Sequence, residues 1–241
     1  MSTFGDTIGW LTTAENWWGP TGILQRIEEH LQYSLLAVGL AAIIALPVGL
    51  VIGHTGRFEH GALGLSGAAR AIPTLGLLVL LGRWYPVQVG PVIIVLAVLA
   101  IPPILANTAA GISGVDPAVR DAAQGMGMTP TQVLTRVEVP LAAPLTLAGI
   151  RSALLQVIAT ATIAAFAGLG GLGRFIIDGF AVRDEARVYG GSIVVAVLAL
   201  VGEGLFVLAQ RSARPAGLRR RRAPSPAVTV PIPHTAGGVS T

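Results

Sequence analysis

The side chains that could carry catalytic or metal chemistry are few in this sequence and are not grouped. The histidines have no neighbouring Cys or Glu at the spacing of a metal site, and the sequence contains no cysteine. No serine is accompanied by the His and acid of a hydrolase, and the phosphate-binding pattern G-x-x-x-x-G-K-[ST] is absent. These observations predict no catalytic residue, no bound cofactor and no metal in this chain. The histidines are His30, His54, His60 and His234.

Three charged residues fall in or near apolar segments. An ionised side chain costs about 2.5–3.5 kcal/mol at the centre of a membrane helix, so each of them needs a partner or water. Arg70 and Arg151 are predicted near cytoplasmic helix ends, where arginine reaches the headgroups, with a place on a translocation path as the alternative. Glu203 either lines such a path or faces a neighbouring helix.

Long apolar segments must position these groups, because 53% of the 241 residues are hydrophobic, 12% are charged and the mean hydropathy is +0.72. This balance lies outside the range of soluble domains and indicates a membrane protein. A helix needs about 20 mostly apolar residues to span a bilayer. The segments that qualify are residues 31–52, 61–81, 87–110, 140–169 and 189–209. The sequence therefore predicts an all-α membrane protein, a bundle of five transmembrane helices.

The arginines orient this bundle. All 16 basic residues are arginine, and several of them lie between Arg211 and Arg222. Cytoplasmic segments carry an excess of basic residues, so the C-terminus is expected in the cytoplasm and, with an odd number of spans, the N-terminus outside. The tail is expected to be disordered and to face anionic headgroups rather than nucleic acid.

The predicted domain organisation has three parts. Residues 1–30 form an extracytoplasmic or interfacial segment, in which residues 22–31 make a short amphipathic helix anchored by Trp17 and Trp18. Residues 31–210 form the transmembrane domain, and residues 211–241 form the basic cytoplasmic tail.

The main cytoplasmic loop, residues 111–140, contains the signals of two capped helices. Asp116 followed by Pro117 is an N-cap with proline at the first helical position. Thr129, with Gln132 three residues later, is a capping box. A free connector has no need of two caps, so the loop is predicted to present a rigid surface to a cytoplasmic partner. A connector that lies on the headgroups is the alternative.

The same loop resembles the EAA loop of ABC importer permeases. The matching residues are Asp121-Ala122-Ala123, Gly127 and Val137-Glu138-Val139-Pro140, at the spacing of that motif and with Asp121 in place of the usual glutamate. Further matches are to the glycine betaine, carnitine and choline permeases: Ala71-Ile72-Pro73-Thr74-Leu75-Gly76-Leu77-Leu78, Gly125-Met126-Gly127-Met128-Thr129 and Ala165-Phe166-Ala167-Gly168-Leu169-Gly170-Gly171-Leu172-Gly173. The resemblance extends over about residues 22–209.

This resemblance implies a type I ABC importer permease in the bacterial cytoplasmic membrane, which translocates a compatible solute such as glycine betaine, choline or carnitine. Its loop would dock on a dimer of separate ATP-binding subunits, which bind ATP and Mg. A second permease subunit, identical or homologous, and an extracytoplasmic solute-binding protein would complete the assembly. The docking residues implied are Asp121, Ala122, Ala123, Gly125, Gly127, Val137 and Pro140. An importer of another small solute, such as an amino acid, and a secondary transporter are the alternatives.

A translocation path and an outer gate are predicted from helix breakers in apolar segments. Pro73 interrupts a predicted span, and the backbone carbonyls that it frees are satisfied in a water-filled cavity or by packed helices. The glycine run after the fourth predicted span forms either a flexible gate, the preferred interpretation, or a close packing site. The candidates are Ile72, Pro73, Thr74, Gly76, Phe166, Gly168, Gly170, Gly171, Gly173 and Glu203. Because the chain is poor in aromatic residues, selection of a quaternary ammonium compound is assigned to the binding protein.

Overall fold

A computed structural model describes residues 3–57, 64, 73–84 and 88–213 of the chain. Within these ranges the regular structure is entirely helical. The helices are α1 (Thr3–Thr12), α2 (Ile23–Thr55), α3 (Thr74–Trp84), α4 (Val89–Ser113), α5 (Pro117–Gly125), α6 (Pro130–Ala167), α7 (Gly173–Val182) and α8 (Glu185–Ala213). The all-α prediction is confirmed for the described residues.

The centre of the bundle is α4, which packs between α2 and α6. Small residues line the contact between α2 and α4: Ala37, Ala41 and Ala45 of α2 are fully buried. A Cβ added at Gly49 would lie 2.8 Å from Cβ of Thr108 on α4. Such close approach of backbones is how helices associate where lipid offers no hydrophobic drive.

Four of the described helices are long and apolar enough to cross a membrane. They are Ile23–Thr55, Val89–Ser113, Pro130–Ala167 and Glu185–Leu208, which contain most of the first, third, fourth and fifth predicted spans. The second predicted span, residues 61–81, lies largely outside the described residues, as does Arg70, and α3 covers its end. In the most apolar window of α8 only 11% of the residues are buried, so this helix offers its surface to lipid or to another subunit.

The helices of the N-terminal part differ from those predicted. Residues 22–31 do not form a separate interfacial helix, because α2 runs without interruption for 33 residues from Ile23 to Thr55. The charged residues of this stretch include Arg26 and Glu29, which are half-buried; Glu29 contacts the turn between α6 and α7, and Arg26 pairs with Glu29. Helices α1 and α7 were not predicted.

A second apolar cluster joins α1, the start of α2, α7 and α8. Its buried members are Ile23, Leu172, Phe175 and Val194, with Trp10 and Trp17 packed against them. The ring of Trp10 meets Phe175 edge to face at a centroid distance of 5.2 Å. The Trp17 indole donates a hydrogen bond to the carbonyl of Leu11 at 2.7 Å, so its polar edge is satisfied within the chain.

Prolines have three different positions in the helices. Pro47 lies inside α2, and Pro102 and Pro103 lie inside α4. Pro73 stands immediately before α3, whose first residue is Thr74; residues 65–72 lie outside the described residues, so the predicted interruption of the second span at Pro73 stays a prediction. Pro140 lies inside α6, two residues after the end of a π-helical stretch at Leu134–Glu138.

Candidate functional site

Both predicted caps of the cytoplasmic loop are present. The Asp116 carboxylate accepts a hydrogen bond from the backbone N–H of Ala118 at 2.9 Å, and Pro117 is the first residue of α5. At the start of α6 the backbone N–H of Thr129 donates to the Gln132 side chain at 2.9 Å, and the Thr129 hydroxyl accepts from the Gln132 N–H at 3.4 Å. The second helix is not short, however, since it continues through the loop into the membrane span.

The predicted docking residues divide into an exposed surface and a buried anchor. Asp121, Ala122, Gly125, Gly127 and Pro140 are exposed, and Val137 is half-buried. Ala123, one of the implied docking residues, is only 2% exposed, so it packs α5 against the chain and does not belong to the exposed surface. Two apolar side chains join the exposed surface, Val119 and Met126, the latter 72% exposed.

Gly125 and Gly127 have no side chain, so nothing projects from the exposed surface at these two positions. A Cβ added at either residue would meet no heavy atom of the described part of the chain within 4 Å. Gly127 also has φ +83°, a backbone conformation that favours glycine. The backbone conformation therefore explains the glycine at 127, whereas intrachain packing does not explain the glycine at 125, which leaves room for a partner.

Glu138 connects the loop to the bundle and was given no role from the sequence. It is 1% exposed, its Oε1 lies 2.7 Å from Nε of Arg120 on α5, and its Oε2 lies 2.6 Å from Nδ1 of His54 on α2. Arg120 also donates through Nη2 to the carbonyl of Ile112 on α4. The one local signal for this role of Glu138 was its acidic side chain inside the apolar run Val137-Glu138-Val139. The partners of Glu138 are distant in sequence.

Arg151 and Glu203 face each other between α6 and α8. Nε of Arg151 donates to Oε2 of Glu203 at 2.6 Å, and a second contact joins Nη2 to Oε1. Both side chains are about 30% exposed, at 31% and 28%. Glu203 thus faces a neighbouring helix, one of its two predicted environments, and Arg151 has a carboxylate partner rather than headgroups alone.

The glycine turn between α6 and α7, residues 168–172, is held tightly by α2. The Glu29 carboxylate accepts a hydrogen bond from the N–H of Gly171 at 2.7 Å and pairs with Arg26 at 2.9 Å. A Cβ at Gly170 would collide with the Glu29 carboxylate. These contacts correspond to the close packing site, the alternative to the flexible gate.

Other path candidates are distributed over neighbouring elements. Thr74 and Gly76 lie on α3, which contacts the last turns of α6, where Phe166 is 65% exposed. The structure therefore brings the α3 group and Phe166 onto adjacent elements. Ile72 lies outside the described residues, and Glu203 belongs to the separate pair on α8.

The fold and the capped loop define a helical membrane subunit that presents an exposed, capped surface. The chain belongs to the family described as "Binding-protein-dependent transport system inner membrane component", whose model matches residues 41–215. It is accordingly a permease subunit of the inner membrane and not an enzyme, since ATP is hydrolysed by a separate subunit in this class.

Curated relatives cover most of the chain. The choline transport system permease protein OpuBB of Bacillus subtilis is 38% identical, over 82% of this chain and 91% of its own length. The glycine betaine/carnitine/choline permease OpuCB of the same organism is 33% identical, over 82% and 91%. The carnitine permease OpuCB of Listeria monocytogenes is 34% identical, over 83% and 92%.

Solved structures match the fold. A chain of the inward-facing MetNI methionine ABC transporter aligns with TM-score 0.71 at 20% identity, over 80% of this chain and 96% of that one. A chain of an amino acid ABC transporter aligns with TM-score 0.57 at 22% identity. At this identity the likeness shows the architecture of an ABC importer permease and leaves the solute open.

Proposed function

We propose that this chain is the permease of an ATP-driven importer of a compatible solute of the quaternary ammonium class, such as choline, glycine betaine or carnitine. The support is the group of relatives named for these solutes, which match over about nine-tenths of their own length. The chain would work with a pair of ATP-binding subunits, a second permease subunit and an extracytoplasmic solute-binding protein.

The observation that carries the coupling role is the outward surface of α5 and the residues that follow it. This surface, which we call the docking face, consists of Val119, Asp121, Ala122, Gly125, Met126 and Gly127. Capping at both helix starts makes it rigid, exposed Met126 and Val119 make it partly apolar, and the glycines allow a close approach. An exposed apolar face rimmed by polar residues is typical of a protein interaction site.

In this mechanism the ATP-binding subunits move the docking face, and the helices that bear it change the access of the solute path. The solute itself undergoes no chemistry. The path candidates on α3 and near Phe166 remain proposals. The topology, with five spans and an external N-terminus, is also part of the proposal. In this proposal residues 168–173 act as a gate only if their contacts to Glu29 break during transport.

Substrate class and energy source are tested by uptake into proteoliposomes that contain the complete complex, with its binding protein added outside. We expect ATP-dependent accumulation of radiolabelled choline, competed by glycine betaine or carnitine and not by methionine. Omission of the binding protein should reduce uptake to the level without ATP. Competition by methionine alone would favour an amino-acid importer, and accumulation without ATP would favour a secondary transporter.

A further inference from the structure

The most buried charged group in the described residues lies behind the docking face rather than on it. Glu138 is 1% exposed and sits at the π-helical stretch of α6, at the cytoplasmic side of the proposed topology. A carboxylate in such a place is tolerated only with charged or hydrogen-bonding partners. It has two, and they come from two other helices.

The partners make Glu138 a junction of four elements. Arg120 approaches from α5 to 2.7 Å and His54 from the last turns of α2 to 2.6 Å. Because a carboxylate only accepts hydrogen bonds, the imidazole donates through Nδ1. Arg120 also donates a hydrogen bond to the carbonyl of Ile112 on α4. The charged and titratable groups around the Glu138 carboxylate are thus Arg120 and His54, both about one quarter exposed, at 23% and 24%.

We infer that Glu138 is a positioning residue for transport, whose carboxylate ties α5 to the cytoplasmic ends of α2 and α6 so that they move as one body. The inference rests on the proposed function, since it needs a motor that pushes on the docking face. Apolar contact of α5 with the bundle is small: Ala123 is its one buried residue. Without the charged junction, α5 would tilt by itself, and its movement would not be transmitted to the spans.

The test compares Glu138→Gln with the wild type in the complete reconstituted complex and measures solute taken up per ATP hydrolysed. Gln keeps the shape and removes the charge that both partners face. We expect the ratio to fall about fivefold or more, the lower end of typical coupling energies between sites. A merely structural role would lower uptake and hydrolysis together and leave the ratio unchanged. Glu28→Gln, the same change at an exposed glutamate of α2, should keep the wild-type ratio.

A double-mutant cycle identifies the contact. Arg120→Gln alone should lower the ratio, and adding Glu138→Gln should lower it little further if both residues act through one junction. An assembled Glu138→Gln complex with the wild-type ratio overturns the inference. If Glu138→Gln does not assemble, His54→Gln decides in the same way, because it removes the charged contact to α2 and leaves Arg120 to neutralise the Glu138 carboxylate.

A second measurement separates this inference from the substrate assignment. The chain has no cysteine, so Ala118→Cys on α5 and Leu141→Cys on α6, both exposed, can be spin-labelled uniquely in this chain within the complex. We expect one narrow distance distribution with Glu138 and a broadened one with Gln. If the wild-type complex transports none of the tested solutes, the substrate class is wrong, while this distance still decides the role of Glu138; an unchanged distribution overturns it.

Discussion

Arg151 and Glu203 show how a charge inside a span can be structural. The two side chains neutralise each other across the contact of α6 and α8 through two nitrogen–oxygen contacts. An ionised side chain inside a span that has no partner costs on the order of 2 kcal/mol here. This cost does not exceed the insertion-scale value for a helix centre, because both side chains are partly exposed. The pair therefore explains both residues without assigning them to the solute path.

The pair can be distinguished from a path residue by mutation. Arg151→Leu and Glu203→Leu should each lower the melting temperature of the detergent-solubilised complex, because each leaves one charge without its partner. The double variant should recover most of the loss and should transport at nearly the wild-type rate. A stable double variant with no uptake would show instead that Glu203 contacts the solute.

Gly125 and Gly127 permit a test of the docking face that is free of intrachain packing. An added Cβ at Gly125 meets no described heavy atom within 4 Å, and Gly127→Val adds about 1–2 kcal/mol of backbone strain at φ +83°. Both variants should insert normally yet lose uptake and co-purification of the ATP-binding subunit, because the added side chain blocks its approach.

Gly56→Val is the matched control for strain. Gly56 ends α2 with φ +66°, is exposed, and has no described heavy atom within 4 Å of an added Cβ, but it is outside the docking face. It should keep uptake when protein levels are equal on an immunoblot. If Gly125→Val transports like the wild type, docking at this face is refuted.

At the scale of helices, the turn between α6 and α7 depends on close backbone contacts. A Cβ at Gly173 would collide with the carbonyl oxygen of Thr162, so Gly173→Ala should cost about 1–3 kcal/mol as an overpacked site. Gly39→Ala, an exposed position of α2 with open space among the described residues, should be neutral or slightly stabilising. Thermal unfolding of the two purified variants checks this; equal melting temperatures would mean that the turn is mobile enough to act as a gate.

The sequence was sufficient for features whose partners are local. The caps at Asp116 and Thr129 depend on residues two or three positions away, and both were predicted correctly. Glu29 and Gly171 are 142 residues apart and His54 and Glu138 are 84 apart, so no local pattern could reveal either contact. The same cause explains the error at residues 22–31, since the buried partner of Glu29 was not visible.

At the scale of the whole molecule, the proposed topology depends on how many times the chain crosses the bilayer before the docking face. The described helices α2 and α4 are two candidate spans between α1 and α5. The proposed topology adds a third at residues 61–81. With two crossings α1 and α5 lie on the same side of the membrane, and with three they lie on opposite sides.

Single cysteines decide between these arrangements, because the chain has none of its own. Gly9→Cys on α1 and Met126→Cys beside α5 are both exposed, and Gly9 has open space around an added Cβ within the described structure. A membrane-impermeant maleimide should label Gly9→Cys in intact spheroplasts and Met126→Cys only after permeabilisation, because an uneven number of spans separates them. Bound ATP-binding subunits should reduce labelling of Met126→Cys further, since they cover it. Labelling of both positions only after permeabilisation would remove the second span from the topology and, with it, the external N-terminus; labelling of both in intact spheroplasts would refute the cytoplasmic location of the docking face.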